Sequence, residues 1–221
     1  MTFIELVRAV RLRIGIQGSG PSSIDTTIPI EQQMIKAVYD AWVDLQNFRT
    51  DWRWMRGTDS FNTTAGTTTY SLSTIISPDH RWKKWRTDTF YVTENSQYKP
   101  LTYLEYDYFQ YKHNNTTDRG KLSDFTVRPW DGAVILTPPN TVYSVKCDYQ
   151  KRAQLLTANT SIPEIPVHHH LAIVYGALEK MGVAILSQEQ YDHYSQQYAI
   201  ALGQIMREYL PRKTMQQRPL A

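Results

Sequence analysis

Cysteine is almost absent from this sequence, since Cys147 is the only one in 221 residues. A single thiol excludes a disulfide within the chain and a zinc site built on the cysteines of one chain. Cys147 is therefore expected to pack as a small apolar side chain. The sequence also lacks a run of about 18 or more apolar residues, the length that a membrane-spanning helix requires, so no membrane partner is expected.

The first residues do not have the composition of a secretory signal. Charged side chains at Glu5, Arg8, Arg11 and Arg13 interrupt every apolar stretch there. We therefore expect synthesis in a cytoplasm.

Net charge is small, at +3, and it is concentrated at one end of the chain. Residues 207–221 hold four basic side chains and one acidic side chain, while the remaining body holds 20 of each sign. A neutral body attracts a polyanion weakly over distance, whereas nucleic-acid-binding proteins usually present a basic face. The tail is therefore the charged element.

Catalytic arrangements are also lacking. The turn at Gly18–Pro21 has neither the lysine nor the strand-to-helix context of a phosphate-binding loop. Glu105 and Asp107 are two residues apart, so on a helix they point to different faces and do not form a carboxylate pair. Three consecutive imidazoles at His168–His170 splay around a helix, and no second cluster stands at ligand spacing. We expect no enzyme activity, no cofactor and no metal site.

Tyrosine and tryptophan, by contrast, are abundant, at 15 and 6 residues. Aromatic rings with a polar tip are enriched at protein interfaces, where one end is buried and the other meets water. The same residues also fill β-rich cores. Composition leaves both interpretations open.

The N-terminal segment has helical periodicity. Thr2 and Glu5 form a candidate capping box, and a helix of about 12 residues is expected to end near Gly15. A loop rich in Gly, Ser, Pro and Thr follows over residues 18–27. Pro29 suits the first turn of the next helix.

The second helix is predicted to extend to about Arg56, because apolar residues recur at spacings of three and four, and Gly57 is expected to end it. Trp52 continues the apolar stripe, whereas Trp54 would lie about 200° around the helix axis from it. Trp52 is therefore predicted to lie in the core. Trp54 or its arginine neighbours are predicted to meet another subunit or the β region.

From Thr58 to about Arg152 the pattern changes to alternation, with β-branched and aromatic residues in short runs between turn residues. Asp131-Gly132 predicts a hairpin with a two-residue type I′ turn, which requires positive φ. A short helix is predicted at Leu104–Lys112. The predicted strands are Thr67–Leu72, Arg86–Thr93, Asp124–Pro129, Ala133–Pro138 and Val142–Arg152.

Helical periodicity resumes after Pro163 and Pro166. Two apolar stripes separated by a candidate capping box at Ser187 and Gln190 predict two helices, the second ending at Pro211. The residues after Pro211 are polar and basic without an apolar stripe, so we expect them to be extended until a partner binds.

These patterns predict an α+β fold. Amphipathic helices at both ends of the chain must bury their stripes, and packing them together gives a discontinuous helical bundle with an inserted antiparallel β domain. The predicted domains are residues 1–57 with 160–210 for the helical domain, 58–159 for the β domain and 211–221 for the extended basic tail.

The first 56 residues resemble the head-to-tail adaptor proteins of tailed bacteriophages. A short helix, a GxGP-type turn at Gly18–Pro21, a long helix and a helix end rich in arginine and tryptophan occur in the order of that family. Tyr98–Lys112 also matches in detail, and the rest of the chain agrees in outline. The family also implies the discontinuous architecture.

The resemblance implies a structural virion protein at the head-tail junction. Such a protein forms a ring, usually of twelve subunits, that joins the portal protein to tail or nozzle proteins and lines the channel through which genomic DNA passes without sequence-specific binding. Tails of related adaptors commonly reach onto the portal. The expected portal-binding residues are Arg207, Tyr209, Leu210, Pro211, Arg212, Lys213, Arg218 and Leu220. The expected subunit-interface residues are Arg49, Arg53, Trp54 and Arg56.

The alternative is a nucleic-acid-binding protein that uses residues 80–86 and the C-terminal tail. The segment HRWKKWR interleaves basic and aromatic residues, a pattern that contacts phosphates and stacks on bases. It also suits a loop and strand edge protected by lysines, with Trp82 and Trp85 on one face. Flanking Asp79 and Asp88, together with the neutral body, favour the second interpretation.

Overall fold

The structure is a computed structural model and describes residues 1–94, 97–113, 119–182 and 185–210. Over these residues the protein is α+β, with six α-helices and mostly antiparallel sheets. The helices are α1 (Phe3–Ile14), α2 (Pro29–Asn47), α3 (Leu72–Ile75), α4 (Tyr106–His113), α5 (His170–Met181) and α6 (Gln188–Tyr209). The strands are β1 (Arg56–Asn62), β2 (Thr69–Tyr70), β3 (Trp82–Trp85), β4 (Tyr91–Glu94), β5 (Gln97–Pro100), β6 (Thr102–Tyr103), β7 (Asp124–Val127), β8 (Val134–Leu136) and β9 (Ser144–Lys151).

The chain divides into two compact units. The helical unit comprises Met1–Met55 and the described residues from Ala153 onward, and the β unit comprises the described residues of Arg56–Arg152. Of the helices that the structure describes, none is long and apolar enough to cross a membrane.

Local signals at the helix ends are present as predicted. The Thr2 side chain and Glu5 form a capping box at the start of α1, which has 12 residues and ends at Gly15, where φ is 83°. Ser187 and Gln190 form the same motif at the start of α6, and Pro29 occupies the first turn of α2. Each motif satisfies backbone groups that a helix end leaves unpaired, or places a residue without a backbone donor there.

The core of the helical unit is built around α5, which contacts α1, α2 and α6. Ile173, Val174, Ala177 and Leu178 of this helix are fully buried. The backbone amide of Phe3 donates to the Ser161 carbonyl at 2.7 Å. Apolar side chains from both chain segments thus share one core.

The second helix is shorter than predicted, because α2 ends at Asn47 and Gly57 lies within β1. The Trp52 indole Nε1 donates to the Leu45 carbonyl at 3.1 Å, so the chain folds back on the last turns of α2. Trp52 is fully buried, as predicted. The prediction that Trp54 lies about 200° around a helix axis from Trp52 is wrong, since their rings stack with centroids 4.4 Å apart. The helical angle between them does not apply outside a helix.

Two sheets form the β unit. One has the order β1-β9-β4-β5, with β3 also paired to β9, and the other has the order β2-β8-β7-β6. Strand β9 is central, and its inward residues Val145, Cys147 and Tyr149 are buried while Ser144 and Lys146 are exposed. Cys147 packs as the expected apolar side chain, and burial raises the pKa of its thiol to about 12.

The strand predictions succeeded where strands are buried. Segments Asp124–Pro129, Ala133–Pro138 and Val142–Arg152 contain β7, β8 and β9, and the short helix predicted at Leu104–Lys112 is α4. Thr67–Leu72 contains only the two residues of β2, and the first half of Arg86–Thr93 is a turn before β4. Strands β1, β3, β5 and β6 were not predicted. The polar and mostly exposed residues of β5 and β6 carry no alternating signal.

The hairpin between β7 and β8 is present, but the prediction of a two-residue turn is wrong. The Arg128 amide donates to the Ala133 carbonyl at 2.8 Å, which leaves a four-residue loop, and Gly132 has a φ of 72°. The Asp131 carboxylate instead accepts from the Ala133 amide at 3.0 Å and pairs with Arg128. A Cβ at Gly132 would lie 2.5 Å from Cη2 of Trp82, so glycine is also required by packing.

Candidate functional site

The four residues predicted at a subunit interface lie on three different local structures, with Arg53 and Trp54 in the same turn. Arg49 is exposed beyond the end of α2, with its guanidinium 5.6 Å from the centroid of the Phe48 ring. Arg53 is exposed in a 3-10 turn, Arg53–Met55, and Arg56 is half-buried at the start of β1. A helix end that presents all three arginines together is therefore absent from this part of the described chain.

Trp54 is half-buried in the helical unit. Its ring lies between Trp52, on which it stacks, and Tyr209, which meets it edge to face with centroids 5.3 Å apart. Within the described residues its indole Nε1 has no hydrogen-bond partner although the atom is buried. Trp54 thus joins the segment after α2 to the last turn of α6.

The C-terminal end of α6 contains the described part of the predicted portal-binding set. Arg207 is exposed, and its Nε donates to the Gly203 carbonyl at 3.3 Å. Tyr209 and Leu210 are half-buried and pack against the helical core. The remaining predicted residues, Pro211, Arg212, Lys213, Arg218 and Leu220, lie outside the described residues.

Of the three consecutive histidines, only His170 faces away from the others, whereas the rings of His168 and His169 lie with centroids 4.1 Å apart, so the expectation that the rings splay around a helix is wrong for this pair. The His170 ring is buried, with Nε2 3.0 Å from the Ile165 carbonyl and Nδ1 2.8 Å from the Met1 amino nitrogen. Burial lowers its pKa, and the carbonyl at Ile165 opposes that shift. The two contacts fit a ring that donates through Nε2 to the carbonyl and accepts at Nδ1 from the amino group.

The other two histidines meet a carboxylate that sequence spacing did not reveal. Glu208 lies 39 residues after His169, and its Oε2 is 3.0 Å from His169 Nε2. Its Oε1 is 3.6 Å from His168 Nε2. Hydrogen bonds from Tyr209 and then from His169 lower the pKa of Glu208. These three residues are a group within the described chain whose ligand atoms all lie within 4.8 Å of one another.

The basic and aromatic segment 80–86 is mostly held within the β unit. Its last four residues before Arg86 form β3, which pairs with β9. A register shift between Trp82 and Lys84 places the rings of Trp82 and Trp85 in contact, with centroids 5.8 Å apart. Trp85 is buried, and its Nε1 donates to the Gly132 carbonyl at 2.7 Å.

The charged residues of this segment are largely engaged as well. His80 Nδ1 lies 2.7 Å from the Asp59 carboxylate, and Arg86 pairs with Asp88 at 3.0 Å. Lys83 and Lys84 are exposed. The segment therefore matches the interpretation as a strand edge with lysines, because Trp85 is buried and Trp82 is partly buried against the same core, which limits stacking on bases.

Large exposed aromatic side chains are the main surface feature of the β unit. They are Tyr98, Tyr103, Tyr108, Tyr111 and Trp130, which are 64%, 37%, 55%, 85% and 69% exposed. Phe109 is the buried residue of α4, and the tyrosines around it face solvent. The Arg128 guanidinium lies 5.7 Å from the Trp130 ring, whose edge contacts Tyr106. We name these five residues the exposed aromatic set.

Sequence reasoning did not select this set as site residues. The high tyrosine count and the match of Tyr98–Lys112 to phage adaptors were the available signals. Without the fold, however, exposed tyrosines cannot be separated from those of a β core.

Comparison with known proteins agrees with the resemblance seen in the sequence. The family described as SU10 adaptor protein matches residues 1–221. No curated protein matches the chain.

Proposed function

We propose that this chain, which belongs to the SU10 adaptor protein family of phage head-tail adaptors, forms a ring that joins the portal to the tail and lines the DNA exit channel. The family is structural and implies association with portal and tail proteins. The observation that carries the ring proposal is the exposed aromatic set of the β unit. The protein's location in the virion would be the head-tail junction.

The exposed aromatic set has the chemistry of a contact that is completed on assembly. An aromatic side chain buries about 150–250 Å² when it is fully covered, and tyrosine and tryptophan keep a polar group for the rim. Five such side chains are exposed on the β unit, and an assembly contact would remove this aromatic surface from water. In an assembled adaptor, a neighbouring subunit or the portal would cover these side chains.

We also propose that the helical unit is a discontinuous bundle with the β unit inserted as a domain. The chain leaves the helical unit after Met55 and returns at Ala153. The two ends of the insert are adjacent because Arg56 of β1 pairs with Gln150 of β9. Adjacent ends are typical of inserted domains, since the host fold need not open to accept them. In this proposal the insert extends from Arg56 to Arg152, a slightly shorter range than the predicted 58–159 at its C-terminal end, and the helical domain ends near the predicted residue 210.

The proposed ring has twelve subunits, to match the portal, and the C-terminal residues dock on the portal. Exposed Arg207 at the end of α6 and the basic residues after Leu210 suit an acidic surface. Genomic DNA would pass without sequence-specific binding, because a channel wall of low net charge does not hold a polyanion strongly.

The experiment is electron microscopy of the purified protein with and without its portal. We expect a monomer or weakly associated protein alone and a ring when the portal is present, because contacts made on a template are stabilised by the template. A doubly substituted variant, Tyr108→Ala with Trp130→Ala, should lose most ring formation. The matched control is Leu12→Ala, which removes a side chain that is 77% exposed in the helical unit.

Two outcomes would count against this function. If the double variant formed rings equally well, the exposed aromatic set would not be part of the interface. DNA binding that weakens steeply with salt and disappears on substitution of Lys83 and Lys84 would favour the nucleic-acid alternative. Truncation after Tyr209 tests the docking tail separately, since unchanged attachment to portal-containing heads would refute that part alone.

A further inference from the structure

We propose that His168, His169 and Glu208 bind a divalent transition metal ion, with zinc as the best match, and that the ion ties the end of α6 to the start of α5. This inference concerns the helical unit alone. It does not depend on ring formation or on portal binding.

The geometry is close to that of a three-residue zinc site. Zinc binds imidazole nitrogen and carboxylate oxygen at about 2.0–2.2 Å, which places the ligand atoms of a tetrahedral site roughly 3.3 Å from one another. Glu208 Oε2 is already 3.0 Å from His169 Nε2, and Oε1 is 3.6 Å from His168 Nε2. All ligand atoms lie within 4.8 Å of one another. Small rotations of the exposed side chains are enough to enclose an ion.

The local structure explains how two consecutive histidines reach the same place. His168 and His169 end the 3-10 turn Val167–His169, and their ring centroids are 4.1 Å apart. His169 is buried and packs edge to face on Tyr209, with centroids 5.6 Å apart. One imidazole is thus fixed by the core, while His168 is exposed and adjusts.

A simple hydrogen-bonded pair does not account for both rings. Glu208 and His169 at 3.0 Å already make such a pair. The 3.6 Å separation at His168 is too long for a good hydrogen bond. The His168 ring lies beside the His169 ring, with centroids 4.1 Å apart, and faces the other carboxylate oxygen, so a metal ion could bridge all three side chains.

The donor set also narrows the class of ion. Two imidazoles and one carboxylate suit zinc, nickel, copper or iron and do not suit magnesium or calcium, which prefer oxygen ligands. Three protein ligands leave a position for water. Residues 211–221 contain no His, Cys, Asp or Glu, so the following segment adds no such ligand.

The bound ion would restrain the point at which the chain leaves α6. Glu208 lies in the last turn of this helix, two residues before Leu210. A cross-link between that turn and the residues before α5 would suppress fraying of the helix end, because its last carbonyl groups have no partner within the helix.

The test is zinc binding by protein without an affinity histidine tag, after removal of metal with a chelator. Titration calorimetry with zinc and absorption with cobalt, which substitutes for zinc, measure binding. We expect His168→Ala and Glu208→Gln each to weaken zinc affinity by at least about tenfold, since even the loss of residues that support a ligand costs this much. His193→Ala and Glu189→Gln, exposed on the same helix, should leave it unchanged.

Hydrogen exchange provides a second readout. Zinc should slow exchange of the amides in the last turn of α6 in the unaltered protein and have no effect in Glu208→Gln. Circular dichroism of each variant checks the fold, and the exposed positions of His168 and Glu208 make unfolding an unexpected result. Absence of zinc heat and cobalt absorption in the unaltered protein, or equal affinity in the ligand and control variants, would overturn the proposal.

Discussion

The helical unit hides its largest aromatic side chains, whereas the β unit leaves many of its own in solvent. Trp42 and Trp52 are fully buried in the helical core. In the described part of the helical unit, the exposed large hydrophobic residues are aliphatic apart from Phe48. In the β unit they are tyrosines and a tryptophan apart from Val142.

This difference separates two uses of the same residue types. A buried indole contributes folding energy through packing, while an exposed one contributes little until another surface covers it. The helical unit is therefore expected to carry stability in its own core, and the β unit to carry contacts for assembly. Substitutions that are matched by chemistry but placed in different units can test this contrast.

The largest effect is expected from Trp52→Ala. This substitution removes a fully buried ring, its stacking on Trp54 and its hydrogen bond to Leu45. It should lower the free energy of unfolding by about 3–5 kcal/mol. Trp130→Ala, at a side chain that is 69% exposed, should change it by less than about 1 kcal/mol. Urea unfolding followed by far-UV circular dichroism measures both, and similar losses would break the contrast.

A smaller loss is expected from Gly57→Ala in the β unit. The new Cβ would lie 2.3 Å from Cζ of Tyr149, a buried ring that also packs edge to face on Trp85. Because the ring has little room to move, we expect a loss of about 1–3 kcal/mol in the free energy of unfolding. Gly120→Ala is the control, since no atom lies within 4 Å of its Cβ. Equal stability of the two variants would show that Tyr149 moves freely and that the β core is loosely packed.

An intermediate to small loss is expected from Ser187→Ala. The Ser187 side chain accepts from the Gln190 amide at the start of α6. Loss of such a cap typically costs about 1 kcal/mol. Ser144→Ala, an exposed position at the start of β9, should be close to neutral by the same unfolding measurement. A neutral Ser187 variant would mean that packing of α6, and not its cap, determines where the helix begins.

The helical unit was predicted better than the β unit, because the signals that determine helices are local in the sequence. Thr2, Pro29 and Ser187 act within one turn of chain, so their signals are local. The apolar stripes of α1, α5 and α6 are local as well. The end of α2 was predicted too late in the sequence because Trp52 continues the apolar stripe of the helix. The hydrogen bond from Trp52 to Leu45 shows that the chain instead turns back.

Strands and sites depend on residues that are far apart in the sequence. β1 owes its place to pairing with β9, about ninety residues later. Glu208 joins His168 and His169 through the packing of α6 beside α5, which no spacing rule encodes. The exposed aromatic set depends on which faces the sheets leave open. The family was predicted correctly from contiguous patterns in the first 56 residues and in Tyr98–Lys112, and its model matches residues 1–221.

The smallest effect is an expected gain, from Gly203→Ala in α6. Gly203 lies inside this helix, and no atom lies within 4 Å of the Cβ that alanine would add. Alanine restricts the unfolded chain more than glycine does, so the free energy of unfolding should rise by about 0.5–1 kcal/mol.

The matched control for this gain is Gly176→Ala in α5, which has the same entropic benefit but faces other helices. Its Cβ would lie 3.0 Å from Cε2 of Tyr198 and 3.4 Å from the Ala41 Cβ. Close approach of α5 to its neighbours should cancel the entropic gain or reverse it. Thermal unfolding compares the two variants in one experiment. If both glycines gave the same gain, the helices around α5 would be less tightly packed than the buried core suggests. The contrast between a helical unit stabilised by its own core and a β unit that forms contacts would then lose its basis.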